Sequence, residues 1–312
     1  MAGRAGPPLA GPAGPGRHSP GRAGRAATKM QPMTARAPAM AGLRQHGGLP
    51  VLAWPVFGPL PVDILVTTRQ GGVSAGRYAS LNLSFAVGDD PALVRENRRR
   101  AAAALGAGPA DLVFAAQVHG GHAQIVTAAD RGRGALAGTG PVGPADALVT
   151  TEPGLVLTIL VADCVPVVLY DATAHVLACV HAGWRGTVAR VTAAAVAAMG
   201  SLGSRPEQVI AGIGPAIGAD RYQVGEDVAG AVRAALGPDA EDLLAADGPG
   251  RWRLDLPAAN QRVLLAAGVP GAQIHQAGLA TGPDPGLFYS HRAGSPCGRF
   301  ALLARLRPRA AA

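Results

Sequence analysis

Lysine is almost missing from this chain: Lys29 is the only one in 312 residues. Such a skew reads as a general preference for arginine over lysine, not as a functional choice. Cysteine is scarce as well, with three residues spread over a long chain. An odd, scattered set excludes the disulfide framework of a small secreted domain. Long apolar runs are lacking. The longest, residues 155–162, has the length of a strand and falls far short of the ~18 residues a membrane span needs. No membrane partner is therefore expected.

Charge is short where a nucleic-acid binder would carry it. The formal net charge is +8. Residues 1–50 hold seven basic side chains and no acid, so nearly all of that excess sits in one segment. The remaining 262 residues carry 21 basic and 20 acidic side chains. Composition does not indicate a basic face on the body, and no nucleic-acid partner is expected.

Residues 1–50 are rich in Gly, Ala, Pro and Arg and have no apolar periodicity. Such a segment buries too little surface to offset its ordering entropy, and a disordered tail is expected. It has no apolar core of a secretory signal. Ala2 stands where myristoylation needs glycine. Met30, Met33 and Met40 offer alternative starts. A cytoplasmic location is the expectation, with residues 51–312 as one catalytic domain. What remains is apolar enough to build a large core: 48% of residues are hydrophobic and 15% charged.

Within the body, Asp89-Asp90-Pro91 predicts a helix start, with the helix reaching about Leu105. Short β-branched or apolar runs predict strands at 62–67, 112–118, 123–127, 147–150, 155–161, 165–170, 176–180, 209–213 and 300–306. Helices are expected at 187–199, 225–236 and 257–267. The glycine-rich stretch 131–144 reads as a long loop or lid. Consecutive strands followed by mixed helices and strands point to an α+β fold with mixed sheets rather than a doubly wound parallel one.

Reactive side chains cluster beside glycine or strand ends in three places. They are Gln117-Val118-His119-Gly120, Ala162-Asp163-Cys164-Val165-Pro166 and Val180-His181-Ala182-Gly183-Trp184-Arg185-Gly186. In the third, a strand, a glycine turn and a helix start would expose free N–H groups to an anion, with Arg185 beside it. Singly each residue has a bland reading. Buried cysteine is common filler, and a lone histidine is usually structural. Together His119, Cys164 and His181 make a two-His, one-Cys set. That suits zinc with a fourth position open to water or substrate. The separations of 45 and 17 residues match no local zinc motif, so only the fold can unite them. A metal-free Cys–His nucleophile pair uses the same residues. Copper also takes such a set, but with an axial Met that is not nearby in sequence.

Other segments are weaker taken alone. Thr68-Arg69-Gln70-Gly71-Gly72-Val73-Ser74 places an arginine at a strand end before a glycine turn, as either an anion contact or a surface loop. Gly212-Ile213-Gly214-Pro215-Ala216-Ile217-Gly218 fails as a dinucleotide loop, because Pro215 removes a donor. Ser290-His291-Arg292 and Gly298-Arg299 set arginines beside small or polar residues. The run Arg98 to Arg100 reads as a solvated helix end. Cys179 reads as core, and Cys297 as an incidental loop thiol.

Taken in order, these segments together with Ser80-Leu81-Asn82-Leu83 resemble the YfiH family, labelled laccase-domain or polyphenol oxidase and regarded as purine nucleoside phosphorylases. The likeness runs over residues 51–306. It implies a YfiH-like single domain of mixed sheets flanked by helices, with His119, Cys164 and His181 as zinc ligands. It implies phosphorolysis of adenosine, inosine, guanosine and S-methyl-5′-thioadenosine, with adenosine deaminase activity in some members. Arg69, Arg185 and Arg292 lie in its motifs as phosphate or ribose contacts. Asp163, beside Cys164, is a candidate acid/base or a group supporting the ligands. The family often has Cys-Thr where this chain has Ala280-Thr281, which leaves the three ligands intact. The rival readings are a metal-free cysteine hydrolase or amidase, a copper polyphenol oxidase and a nucleotide-binding module. Three ligands cannot hold several coppers.

Overall fold

A computed structural model describes Gly6 and residues 41–309. Most of the segment read as a tail lies outside the described residues. Its end does not behave as read: Gly42–His46 and Leu49–Ala53 pair as an antiparallel hairpin, so the body begins before residue 51. Leu49, Val51 and Leu52 are buried there, and their apolar contacts offset the ordering cost that composition alone suggested.

Two mixed sheets form the centre. The first runs in the order Gly42–His46, Leu49–Ala53, Val62–Thr67, Phe300–Leu306, Val156–Val161, Leu112–Ala116 and Val142–Pro144. The second runs Ile274–Gln276, Val209–Ile213, Val165–Asp171, Val176–Ala182, Ala147–Thr150 and Ala123–Ile125. Helices are α1 (Pro91–Ala104), α2 (Trp184–Val188), α3 (Val191–Ser201), α4 (Glu226–Leu236) and α5 (Leu256–Ala266).

The layers follow from side-chain alternation. Val168, Tyr170, Leu177 and Cys179 face the first sheet, where they meet Leu157, Ile159 and Leu302. Val167, Leu169, Ala178 and Val180 face the other way, toward α3, α4 and α5. Helix α1 packs on the far side of the first sheet, through Ala101, Ala102 and Leu105 against Val51, Leu65 and Leu303. Strands buried on both faces need apolar side chains at odd and even positions alike. That explains the unbroken runs in the sequence.

Local signals explain the helix ends. Asp90 caps α1 by accepting from the Ala92 N–H at 2.7 Å, with Pro91 in its first turn. The helix expected over 187–199 is broken: Arg190 takes a left-handed φ of 58° between α2 and α3. Helix α2 is therefore only five residues long. That removes the extended dipole on which the anion reading at Arg185 rested.

Arg98 is no solvated helix end. It is buried between the rings of Phe85 and Phe114, 4.2 and 4.0 Å from their centroids. It donates to the carbonyls of Leu83, Gly134 and Ala135. Its hydrogen bonds tie the glycine-rich stretch to α1, and the two rings take the place of lost solvent. Cys297 lies in a loop, as read, and is buried there. No helix among the described residues is long and apolar enough to cross a membrane.

Candidate metal centre and active site

The fold gathers at one place the three side chains that sequence spacing could not unite. His119 follows the strand Leu112–Ala116, Cys164 lies in the turn between Val156–Val161 and Val165–Asp171, and His181 sits near the end of Val176–Ala182. Their ligand atoms lie within 4.8 Å of one another, and theirs is the one such group of three among the described residues. A tetrahedral ion with bonds of about 2.0–2.3 Å holds its ligands roughly 3.5 Å apart, so small shifts close this set on one ion. The imidazole rings stand edge to face, with centroids 4.7 Å apart.

The donor set passes a second test of fit. Gly183 has no side chain where one would intrude: a Cβ there would stand 3.0 Å from Cys164 Sγ and 3.1 Å from His119 Cδ2. The space that a methyl would fill is kept beside the ligands. Gly183→Ala is expected to lower metal occupancy severalfold while leaving the melting temperature within a few degrees, since the clash falls on two ligands and not on the core. Metal titration beside a thermal melt checks this, and full occupancy would refute it.

Asp146 organises the cluster, and the sequence reading missed it. It is fully buried at the turn before Ala147–Thr150. One carboxylate oxygen accepts from His181 Nδ1 at 2.8 Å, which leaves Nε2 for an ion. The same carboxylate accepts from three successive backbone N–H groups, of Val118, His119 and Gly120, at 3.2, 3.0 and 2.6 Å. Those bonds hold His119 in the left-handed region, at φ 61°. A histidine there is strained by about 1–3 kcal/mol unless its surroundings fix it. A carboxylate behind a ligating imidazole is the usual means of setting its tautomer and raising its basicity. No local pattern marks Asp146; its partners are 26–35 residues away.

Electrostatics favour a thiolate at the cluster. Burial pushes the Cys164 thiol up, but hydrogen bonds and positive charge from His119 and His181 outweigh it and bring the pKa to about 6. Burial works against a charged His181, yet Asp146 and Cys164 together hold its pKa above the ordinary range. In metal-stripped protein, alkylation of Cys164 by iodoacetamide is expected to reach half its plateau near pH 6, well below the ~8.5 of a free thiol. Cys179 is raised by burial and stays inert, as does Cys297. A midpoint near 8.5 would mean the two imidazoles do not act on the sulfur.

The cluster lies at a cavity of about 570 Å³, within the range of small-molecule sites. Its wall is largely apolar, with Val87, Leu160, Val161 and Ala162, and it also carries Ser84, Gln117, His291 and Arg299. Gln117 is locked at both ends of its amide to the backbone of Leu160, at 2.8 and 2.9 Å.

The other expected site residues are placed differently. Asp163 is buried beside Cys164, at φ 84°. Its oxygens accept from the Thr281 hydroxyl at 2.5 Å and the Arg292 N–H at 2.6 Å, which fastens residues 281 and 292 to the cysteine turn. Arg69 lines a separate cavity. It donates to the carbonyls of Ala79 and Pro285, both at 2.7 Å, and stacks on Tyr289. Arg185 is exposed and lies over the Trp184 ring. Arg292 stacks on Tyr222 and donates to the Gln223 carbonyl, in a third cavity. None of the three arginines lines the cavity that holds the cluster.

A single α+β domain of mixed sheets with a His₂Cys cluster on a ligand-sized cavity is the class of protein these observations define. The chain belongs to the family described as multi-copper polyphenol oxidoreductase laccase, whose model matches residues 63–307. It is 45% identical over 246 residues to a purine nucleoside phosphorylase of Deinococcus radiodurans, covering 78% of this chain and 88% of that one. It is 39% identical over 228 residues to purine nucleoside phosphorylase YlmD of Geobacillus stearothermophilus, covering 73% and 83%. The crystal structure of that YlmD superposes with a TM-score of 0.81 at 36% identity, over 85% of this chain and 99% of the other. Bacillus licheniformis hypothetical protein YfiH gives 0.79 at 33% identity, over 82% and 96%. The YfiH-like fold expected from the sequence motifs is the fold observed.

Proposed function

We propose that this chain is a zinc-dependent purine nucleoside phosphorylase. Its substrates in this reading are adenosine, inosine, guanosine and S-methyl-5′-thioadenosine, with inorganic phosphate as co-substrate and adenosine deamination as a secondary activity. The observation that carries the reading is the His119–Cys164–His181 cluster on a nucleoside-sized cavity. The names of the relatives support it. Zinc is favoured over copper because the cluster provides ligands for one ion and leaves a position open. A cytoplasmic setting is part of the proposal, consistent with three free thiols. No nucleic acid or membrane is invoked.

Phosphorolysis breaks the bond between the sugar C1′ and a purine nitrogen and forms a bond from C1′ to a phosphate oxygen. The electron pair of the broken bond leaves with the purine, which takes up the proton that the hydrogen phosphate gives up. The sugar is cationic in between, so water has to be kept off it. Leu160, Val161 and Ala162 supply a dry wall for that purpose. Gln117, held rigid by Leu160, keeps this wall in shape. Asp163 fixes the segment that brings His291 to the rim. His119, Cys164 and His181 would hold the zinc, which would supply Lewis acidity and lower the pKa of water for the secondary deamination. Asp146 sets the face that His181 presents.

The test is incubation of the zinc-loaded protein with adenosine, with and without phosphate. Phosphate-dependent adenine and ribose 1-phosphate are expected. Absence of both products removes the reading. One rival has an observation in its favour: the lowered thiol pKa of Cys164 also suits a metal-free nucleophile. Activity that survives chelation but not alkylation would favour it.

A further inference from the structure

We propose that Arg299, with the Ser84 hydroxyl lining the same cavity, is the anion subsite of the metal cavity and receives the inorganic phosphate. The proposal rests on the phosphorolytic reading, which requires an anion next to the sugar, and it moves that anion away from Arg69, Arg185 and Arg292.

Among the residues that line the cavity, Arg299 is the one with a permanent positive charge. Its guanidinium is held from one side only. Nη1 donates to the carbonyls of Cys297 and Gly298, at 2.8 and 3.0 Å, and touches Cys297 Sγ at 3.4 Å. Nε and Nη2 have no protein acceptor among the described residues, and no carboxylate forms an ion pair with the group. A partly buried guanidinium that spends one nitrogen on backbone keeps a planar edge of N–H donors. Such an edge matches two oxygens of a tetrahedral oxyanion. Arg69 offers no comparable edge to this cavity, since its Nε and Nη1 are both spent on carbonyls elsewhere.

Asn82 builds the subsite. It is fully buried, and its Oδ1 accepts from the backbone N–H of both Ser84 and Arg299, at 3.1 and 2.9 Å. Its Nδ2 donates to the Ser84 carbonyl and to Asp89 Oδ2. Leu83 N–H closes the join by donating to the Arg299 carbonyl at 3.0 Å. Residues 84 and 299, distant in sequence, are thereby set side by side. Ser84 Oγ accepts from the Ala86 N–H at 3.2 Å, which leaves its O–H as a further donor. The Ser80-Leu81-Asn82-Leu83 motif, which had no role in the metal cluster, gains one here.

The experiment measures binding of inorganic phosphate to the zinc-loaded protein by calorimetry, together with steady-state kinetics, for wild type, Arg299→Ala, Arg299→Gln and Arg299→Lys. A lost charge-assisted pair of bonds is expected to raise the Kd and KM for phosphate about 10- to 100-fold. The KM for nucleoside should stay within about twofold, since sugar and base are held elsewhere. Lysine, with charge but no fork, should fall between. Arg299→Gln keeps the test open where Arg299→Ala fails to fold. Unchanged phosphate binding and KM in a folded variant overturn the subsite and leave phosphorolysis standing. Phosphate bound through Arg299 without any nucleoside cleavage upholds the subsite and removes phosphorolysis. A wild type that binds no phosphate overturns both.

Discussion

Cys164→Ala is expected to reduce bound zinc from about one ion per chain to a trace, and phosphorolysis by about a hundredfold to a thousandfold. The sulfur is the only anionic donor of the three, and its pKa of about 6 makes it a thiolate at neutral pH. Two imidazoles without it leave the ion with half a tetrahedron and no anionic ligand. Charge stabilisation by a bound ion amounts to several kcal/mol, and each 1.36 kcal/mol is a factor of ten in rate. The thiol is small and partly exposed, so its truncation should cost little stability. Elemental analysis and product assays on the folded variant decide the matter. Retained zinc together with retained activity would dismiss the cluster as the active centre. Full zinc with lost activity would turn the argument toward a nucleophilic cysteine.

Asp146 is expected to be the most sensitive position outside the ligands. Its carboxylate is fully buried and accepts four hydrogen bonds, three of them from consecutive amides. Asp146→Ala removes one partner of a buried pair and orphans those donors, at a cost of about 3–5 kcal/mol in unfolding free energy. Asp146→Asn is nearly isosteric but turns an acceptor into a donor toward the amides. It should weaken zinc binding about 10- to 100-fold, the usual loss when a group behind a ligand is changed. Its pH signature is separate. Burial raises the Asp146 pKa, but the bonds from His181 and the amides of Gly120 and His119 outweigh it and leave it below the ordinary carboxylate value. A carboxylate lowered in the folded state contributes stability above its unfolded pKa of about 3.9 and loses it as pH falls through the folded value. Metal-stripped wild type should therefore lose stability on acidification below about pH 4. Asp146→Asn should show a flatter acid limb in urea unfolding. Equal acid limbs, with unchanged zinc affinity, would reduce Asp146 to ordinary packing.

Much of the fold was legible because its signals are local. The Asp90-Pro91 start of α1 and the strands at 147–150, 165–171 and 209–213 fall where cap chemistry and apolar runs place them. The errors came where a distant contact overruled a local preference. Arg98 reads as solvated until Phe85 and Phe114 close on it. The helix over 187–199 reads as continuous until Arg190 turns it. Residues 42–50 read as tail until Leu49 and Val51 meet Leu65 and α1.

The site divides in the same way. The donor chemistry is readable along the chain: two imidazoles and one thiol at strand ends beside small residues. That these three converge, that Asp146 stands behind them, and that Arg299 rather than Arg69, Arg185 or Arg292 lines their cavity emerges from the folded arrangement. The physical reason is reach. A side chain's type and its local turn are written within a few residues, whereas coordination and hydrogen bonding act over about 3 Å between segments that only the stacked sheets bring together.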